Sequence, residues 1–288
     1  LDSPDRWRRN AQRLRKATRD RGLELVVAVC PFGRAEALLW HDPDLANGIP
    51  VKGAPMVVRD GRLVPEPTAS IRNGSFEDVQ GDKARGWGFQ DDPGRGSFSD
   101  AQVVRGGTRS LRFENVGQAN PHGHGRISQP VAVRPWQQYR LRVWMKADRL
   151  NADMIQAPVV GGGRTLQYQF VSEPRGETRE HHSGAHDLTL DWTEQSVTFN
   201  SLANTNVTVY VGVWGGRDGR IWWDDLRIED APLMNLVRRD ALPLRVIAAD
   251  GRELKEGHDF EPVRDPGMGV RPWKGSFDTY HEPPVIPS

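Results

Sequence analysis

Cysteine is almost absent from this sequence. Cys30 stands alone, so no intrachain disulfide can form and the fold must rest on a core of its own. That scarcity leaves a cytosolic chain and a secreted chain without disulfides equally allowed. Long apolar runs are missing too. The longest early one (Leu23, Leu25, Val26, Val27, Ala28, Val29) falls far short of the roughly 18 residues of a membrane span and reads as a buried strand. Neither sign of charge prevails: Lys plus Arg is 39, Asp plus Glu is 38, and the formal net charge is +1. No whole-chain field is left to hold nucleic acid or an anionic membrane. The opening Leu1-Asp2-Ser3-Pro4 has no initiator Met and no basic-then-apolar signal segment, so the chain reads as a mature product or a piece of a longer one.

What is present is tryptophan, ten of them, several beside Gly, Asp and Arg rather than in apolar runs. In a β-rich chain that placement marks stacking surfaces as well as core. Three regions follow one another. Residues 1–68 read as a partial α/β segment. Ser3 caps a helix that Pro4 begins, Trp7, Ala11 and Leu14 recur at helical spacing, and Gly22 ends it before the apolar strand. The helix's dense Arg and Lys read as a solvated face. Residues 69–230 alternate. Val207, Val209, Val211 and Val213 occupy every second position, as do Tyr139, Leu141, Val143 and Met145, with turn clusters such as Gly106-Gly107 and Gly215-Gly216 between such segments. This predicts a mainly β fold, an antiparallel β-sandwich of jelly-roll type. Residues 231–288 are rich in Pro and Gly, with a turn at Asp250-Gly251, and read as a β-rich return segment that packs with the N-terminal flank.

Five stretches carry a resemblance: Asn73-Gly74-Ser75-Phe76-Glu77, Gly86-Trp87, Gly106-Gly107-Thr108-Arg109-Ser110-Leu111, Ile127-Ser128-Gln129-Pro130-Val131 and Ile221-Trp222-Trp223-Asp224-Asp225-Leu226. In order and spacing the region resembles the jelly-roll carbohydrate-binding modules of the family four, nine and twenty-two group. The flanks, with His41-Asp42-Pro43-Asp44 and Glu256-Gly257-His258-Asp259, resemble parts of a glycoside-hydrolase-like (β/α) barrel into which such a module is inserted. The resemblance implies a polysaccharide or oligosaccharide as partner and a secreted or cell-surface setting. It also implies a structural Ca²⁺ at the sandwich edge, held by Glu77 with Asp224 or Asp225; hydrogen bonding is the other reading of these acids.

Alternation supplies a candidate sugar face. Opposite the core positions stand Arg142, Trp144, Tyr210, Trp214, Gln167 and Gln169. If their strands share one sheet, these side chains form a surface of flat rings with hydroxyl-binding partners, which is what a pyranose needs. If a loop or a second domain covers that surface, the same rings are interface. His122 and His124, and His181, His182 and His186, lack a zinc spacing and read as surface or ligand-contacting groups. No catalytic pair of acids is placed as a glycosidase requires. The readings carried forward are a non-catalytic carbohydrate-binding module, a fragment of a glycoside hydrolase, and a structural sandwich that mediates domain contacts.

Overall fold

A computed structural model describes residues 4–24, 43–45, 47–167, 185–234 and 236–263 of the chain. Helix α1 (Pro4–Arg19) forms where the capping pattern predicts it. Residues 8–16 are all exposed, so its basic face is solvated. The apolar run that follows lies outside the described residues from position 25 onward, as do Cys30 and Asp42.

The rest is strand. In chain order these are β1 (Met56–Arg59), β2 (Arg62–Pro65), β3 (Val79–Gln80), β4 (Lys83–Ala84), β5 (Phe89–Gln90), β6 (Ser97–Asp100) and β7 (Ser110–Glu114). After a one-turn helix α2 (Val116–Ala119) come β8 (Gly125–Ala132), β9 (Gln138–Ala152), β10 (Met154–Gln156), β11 (Val159–Gly161) and β12 (Arg164–Gln167). The long β13 (Ala185–Asn200), β14 (Asn206–Trp214) and β15 (Arg220–Asp230) complete the sandwich, and β16 (Val246–Ile247) pairs with β17 (Glu253–Leu254) beyond it. The front sheet runs β12-β11-β14-β8-β5, with β10 on the same edge of β14 as β11. The back sheet runs β13-β9-β15-β7-β6. Every pairing between these strands is antiparallel. The chain is a jelly-roll β-sandwich, the fold class that the alternation predicts.

The core sits between the sheets, filled by the residues whose period of two demands it. Val209, Val211 and Val213 of the front sheet and Tyr139 and Met145 of the back sheet are 0 % exposed. Each such side chain contributes about 1.5–3 kcal/mol by leaving water. Gly212 lies outward of this row, yet a β-carbon there would come within 2.2 Å of the Gly125 carbonyl oxygen. Only glycine lets β14 and β8 approach so closely.

The two ends of the sandwich are tied together. Asp230 accepts hydrogen bonds from the Thr68 amide (2.8 Å) and hydroxyl (2.5 Å), and Thr68 is also 3.0 Å from the Tyr139 hydroxyl. The flanks meet outside it: the Arg238 amide donates to Asp44 at 2.8 Å. In the flanks Leu63, Met234, Phe260 and Val263 are buried, apart from the main core. In the β1–β2 hairpin the two turn residues, Asp60 and Gly61, both have positive φ (51° and 71°), the geometry of a tight primed turn.

Candidate functional site

The six residues expected to share one face do not share a sheet. Arg142 and Trp144 are on β9, in the back sheet; Tyr210 and Trp214 are on β14, in the front sheet. Both pairs point away from the core, as alternation requires, but toward opposite outsides of the sandwich. The physical reason is simple: a period of two tells inside from outside, and carries no information about which sheet a strand joins. Gln167 ends β12 on an edge of the front sheet, and Gln169 lies outside the described residues.

The outside of the back sheet is already occupied. Arg142 pairs with Glu194 and, at 3.5 Å, with Glu229, and Arg227 pairs with both acids at 2.9 and 3.0 Å. Burial opposes the Arg142 charge, but the two carboxylates outweigh it and raise its pKa further. The Arg105 guanidinium lies 4.2 Å from the Trp144 ring centroid, so the loop between β6 and β7 covers this indole. Both residues take part in the back sheet's own packing, Arg142 between two carboxylates and Trp144 beneath Arg105.

The outside of the front sheet is arranged differently. Across three strands, Phe89, Ser128 and Tyr210 stand in register. The next outward row holds Arg126, Gly212 and Gln156, and the one after that pairs Trp214 with Met154. Phe89 (42 %) and Met154 (37 %) are the only strongly exposed large apolar side chains among the described residues of the sandwich. Gly212 leaves a low floor between Tyr210 and Trp214, which lie four residues apart on one face, roughly 13 Å along the strand. Arg126 donates to Asp91 through Nε at 2.7 Å, and its guanidinium lies 5.4 Å from the Phe89 ring centroid. His124 precedes Arg126 by two, just before β8 begins. Asn120 fixes it, accepting from the His124 amide at 2.9 Å and donating to its carbonyl at 2.7 Å, and the His122 ring stacks on it at 5.7 Å. Burial and then the Arg126 charge hold the His124 pKa below the ordinary value; Asp91 opposes this and His122 adds to it.

Phe89, Asp91, Arg126, Met154 and Gln156 escaped the sequence reading. Arg126 was within reach: it immediately precedes Ile127, a core residue, and so must point outward. Phe89 and Met154 sit on strands of two and three residues, too short for any period to show.

Residues 68–220 match the family described as Carbohydrate binding domain, CBM_4_9. The chain belongs to this carbohydrate-binding family. No curated protein sequence matches the chain. Among solved structures, it is similar to TmCBM61 in complex with β-1,4-galactotriose, at 15% identity over 56% of this chain and 97% of that one, with a TM-score of 0.40. It is also similar to the CBM22-1 xylan-binding domain of Paenibacillus barcinonensis Xyn10C, at 13% identity over 62% and 97%, TM-score 0.35, and to a CBM4 structure at 18% identity over 56% and 99%, TM-score 0.36.

At one edge of this carbohydrate-binding domain three acids meet the loop between β6 and β7. Glu77 accepts from the Thr108 amide (2.8 Å), the Thr108 hydroxyl (2.5 Å) and the Arg109 amide (3.2 Å). Gly107, at φ 61°, passes so close that a β-carbon would lie 2.0 Å from Glu77 Oε1. Burial would raise the Glu77 pKa, but these hydrogen bonds outweigh it and hold the carboxyl below its usual range. Asp224, 0 % exposed, accepts from the Arg105, Gly106 and Asp225 amides. Burial nonetheless pushes its pKa up to about 6, and the neighbouring Asp225 charge adds to the rise. Glu77 and Asp224 therefore serve the loop's amides, and among the described residues no three acids or histidines converge as a metal cage would. Asp225 differs: its carboxylate faces Gly106 with no amide donor of its own among the described residues.

Proposed function

We propose that the domain binds a polysaccharide or oligosaccharide on the outside of its front sheet and performs no chemistry on it. The observation that carries this reading is the coincidence of exposure and aromaticity. Phe89 and Met154 are uncovered on the same face, and in the same rows, as Tyr210 and Trp214. A soluble domain seldom leaves such a surface bare without a partner for it. Phe89, Tyr210 and Trp214 offer ring faces to the C–H side of a pyranose, while Arg126 and Gln156 supply donors and acceptors for its hydroxyls. Asp91, an acid of this surface, is bound to Arg126, and among the described residues no second carboxylate is paired with it as hydrolysis requires, which supports a binding rather than a catalytic role. Calorimetric titration with soluble glycans tests the reading. Binding is expected for wild type and is expected to be lost or much weakened in Tyr210→Ala and Trp214→Ala with melting temperatures preserved. Unaltered affinity in both variants overturns it.

The setting is a further part of the proposal: a non-catalytic module within a glycoside-hydrolase-like protein that works outside the cytoplasm, where polysaccharide is found. The bond between Asp44 and Arg238 and the tie between Thr68 and Asp230 support an inserted module whose flanks belong together. Calcium at the edge loop is supported by Asp225 alone; a higher melting temperature in calcium than in chelator, lost in Asp225→Asn, is the result expected.

A further inference from the structure

On the front face Arg126 is held more tightly than binding alone would need. Its Nε donates to Asp91 Oδ2 at 2.7 Å and its Nη2 to Oδ1 at 3.4 Å. Its own amide donates to the same Oδ2 at 3.0 Å, and the Asp91 amide donates back to the Arg126 carbonyl at 2.8 Å. One face of the guanidinium lies toward the Phe89 ring at 5.4 Å. Both side chains are largely covered, 27 % and 15 % exposed. What is left is the second N–H of Nη2 and both N–H groups of Nη1, which have no partner among the described residues. Arg126 stands in the row between the one that holds Phe89, Ser128 and Tyr210 and the one that holds Trp214.

We infer that Arg126, frozen by Asp91 and Phe89, is the group that decides which sugar epimer this face accepts, with Asp91 as its positioning residue. The inference rests on the carbohydrate-binding reading and assigns the selectivity within it. Aromatic rings are poor judges of an epimer, because the C–H face they touch changes little when one hydroxyl turns from equatorial to axial. A mobile lysine or a free arginine would follow the hydroxyl to its new place. A guanidinium tied along one edge and set over a ring cannot follow, so the wrong epimer leaves its remaining donors unpaired against a sugar that excludes water. Preorganisation of this kind gives selectivity as well as affinity.

The test is calorimetry with soluble oligosaccharides compared in pairs whose rings are epimers at one carbon: glucose with mannose, glucose with galactose, and xylose with arabinose in its pyranose form. Wild type should prefer one member of such a pair by about tenfold or more. Arg126→Lys, which keeps the charge, and Asp91→Asn, which frees the arginine, should each reduce that preference to below about threefold. Tyr210→Ala should weaken all members alike and keep the preference. Melting curves accompany each variant, and the lysine variant stands in if Asp91→Asn unfolds. A preference that survives both Arg126→Lys and Asp91→Asn, or a wild type that binds all epimers equally, overturns this inference and leaves the binding reading in place. Failure of wild type to bind any member overturns the binding reading and this inference with it.

Discussion

The two outer faces of the sandwich begin from the same sequence rule and end in opposite chemistry. Both alternate core with non-core, and both put a tryptophan outward, Trp144 behind and Trp214 in front. Behind, most of the neighbours are ions. Arg142, Glu194, Arg227 and Glu229 answer one another, Lys146 pairs with Asp191 at 2.6 Å, and Arg105 closes over Trp144. In front, the neighbours are Phe89, Ser128, Gly212, Met154 and Gln156, which cannot satisfy one another in that way. A face whose polar groups are mutually paired has little left for a ligand; a face with Phe89 and Met154 uncovered beside two half-buried rings and one clamped arginine has more. The difference lies in what stands beside each tryptophan, not in the tryptophan.

The bluntest way to break the comparison is through the core that both faces share. Val211 is 0 % exposed between them. Val211→Asp buries a charge with no partner, and should cost about 4 kcal/mol or more. We expect loss of the cooperative melt and of binding together, by circular dichroism and calorimetry. A folded, binding Val211→Asp protein would mean that the core is not where the alternation puts it.

A sharper test separates the faces. Trp214→Ala in front should weaken glycan binding by about 1–3 kcal/mol, the size of a lost stacking contact, with little change in melting. Trp144→Ala behind should do the reverse. It removes the ring beneath Arg105 and loosens the loop, lowering stability by about 1–2 kcal/mol while affinity stays within twofold or so. If both variants lose binding equally, the faces are not distinct and the front-face reading fails.

Much of this was legible from residues alone. The sandwich and the inward set from Tyr139 to Met145 and from Val207 to Val213 follow from period two, because one buried face leaves a strand no choice. The family likeness follows from the same ordered motifs around Asn73, Gly106 and Asp224. The partition of the outward residues was not legible. Which sheet β9 and β14 join depends on pairings such as Thr193 with Met145 and Tyr210 with Ser128, between residues roughly 50 to 80 positions apart in the chain. No local pattern encodes them. The acids at the edge loop lie beside Gly106 and Gly107, and the hydrogen bonds of Glu77 and Asp224 to backbone amides depend on a loop shape that residue types do not specify.

The smallest expected effect is a dependence on pH that belongs to the front face. His124 is held neutral by burial and by Arg126, so its folded pKa lies below the 6.5 of an exposed histidine. As pH falls through about 6.5, the unfolded chain takes up this proton and the folded domain does not. Folding therefore loses stability in that window, and the loss is complete once pH is below the folded value. His124→Gln removes the term. Asp224, raised to about 6, works in the opposite sense over the same range: its folded form gains the proton first, so acidification from pH 6 toward pH 4 favours folding. The two slopes overlap in wild type, which is why only the difference between wild type and His124→Gln isolates the histidine. Between pH 7.5 and 5.5 wild type should lose less than about 1 kcal/mol relative to the variant, or roughly 2–4 °C of melting temperature at most. Because the folded His124 keeps its neutral form through this window, glycan affinity measured at the same two pH values should stay level in wild type as in His124→Gln, while only the melting temperature moves. An affinity that changes in wild type and not in His124→Gln would mean that the folded histidine does take the proton in this range, against the direction in which burial and Arg126 push it.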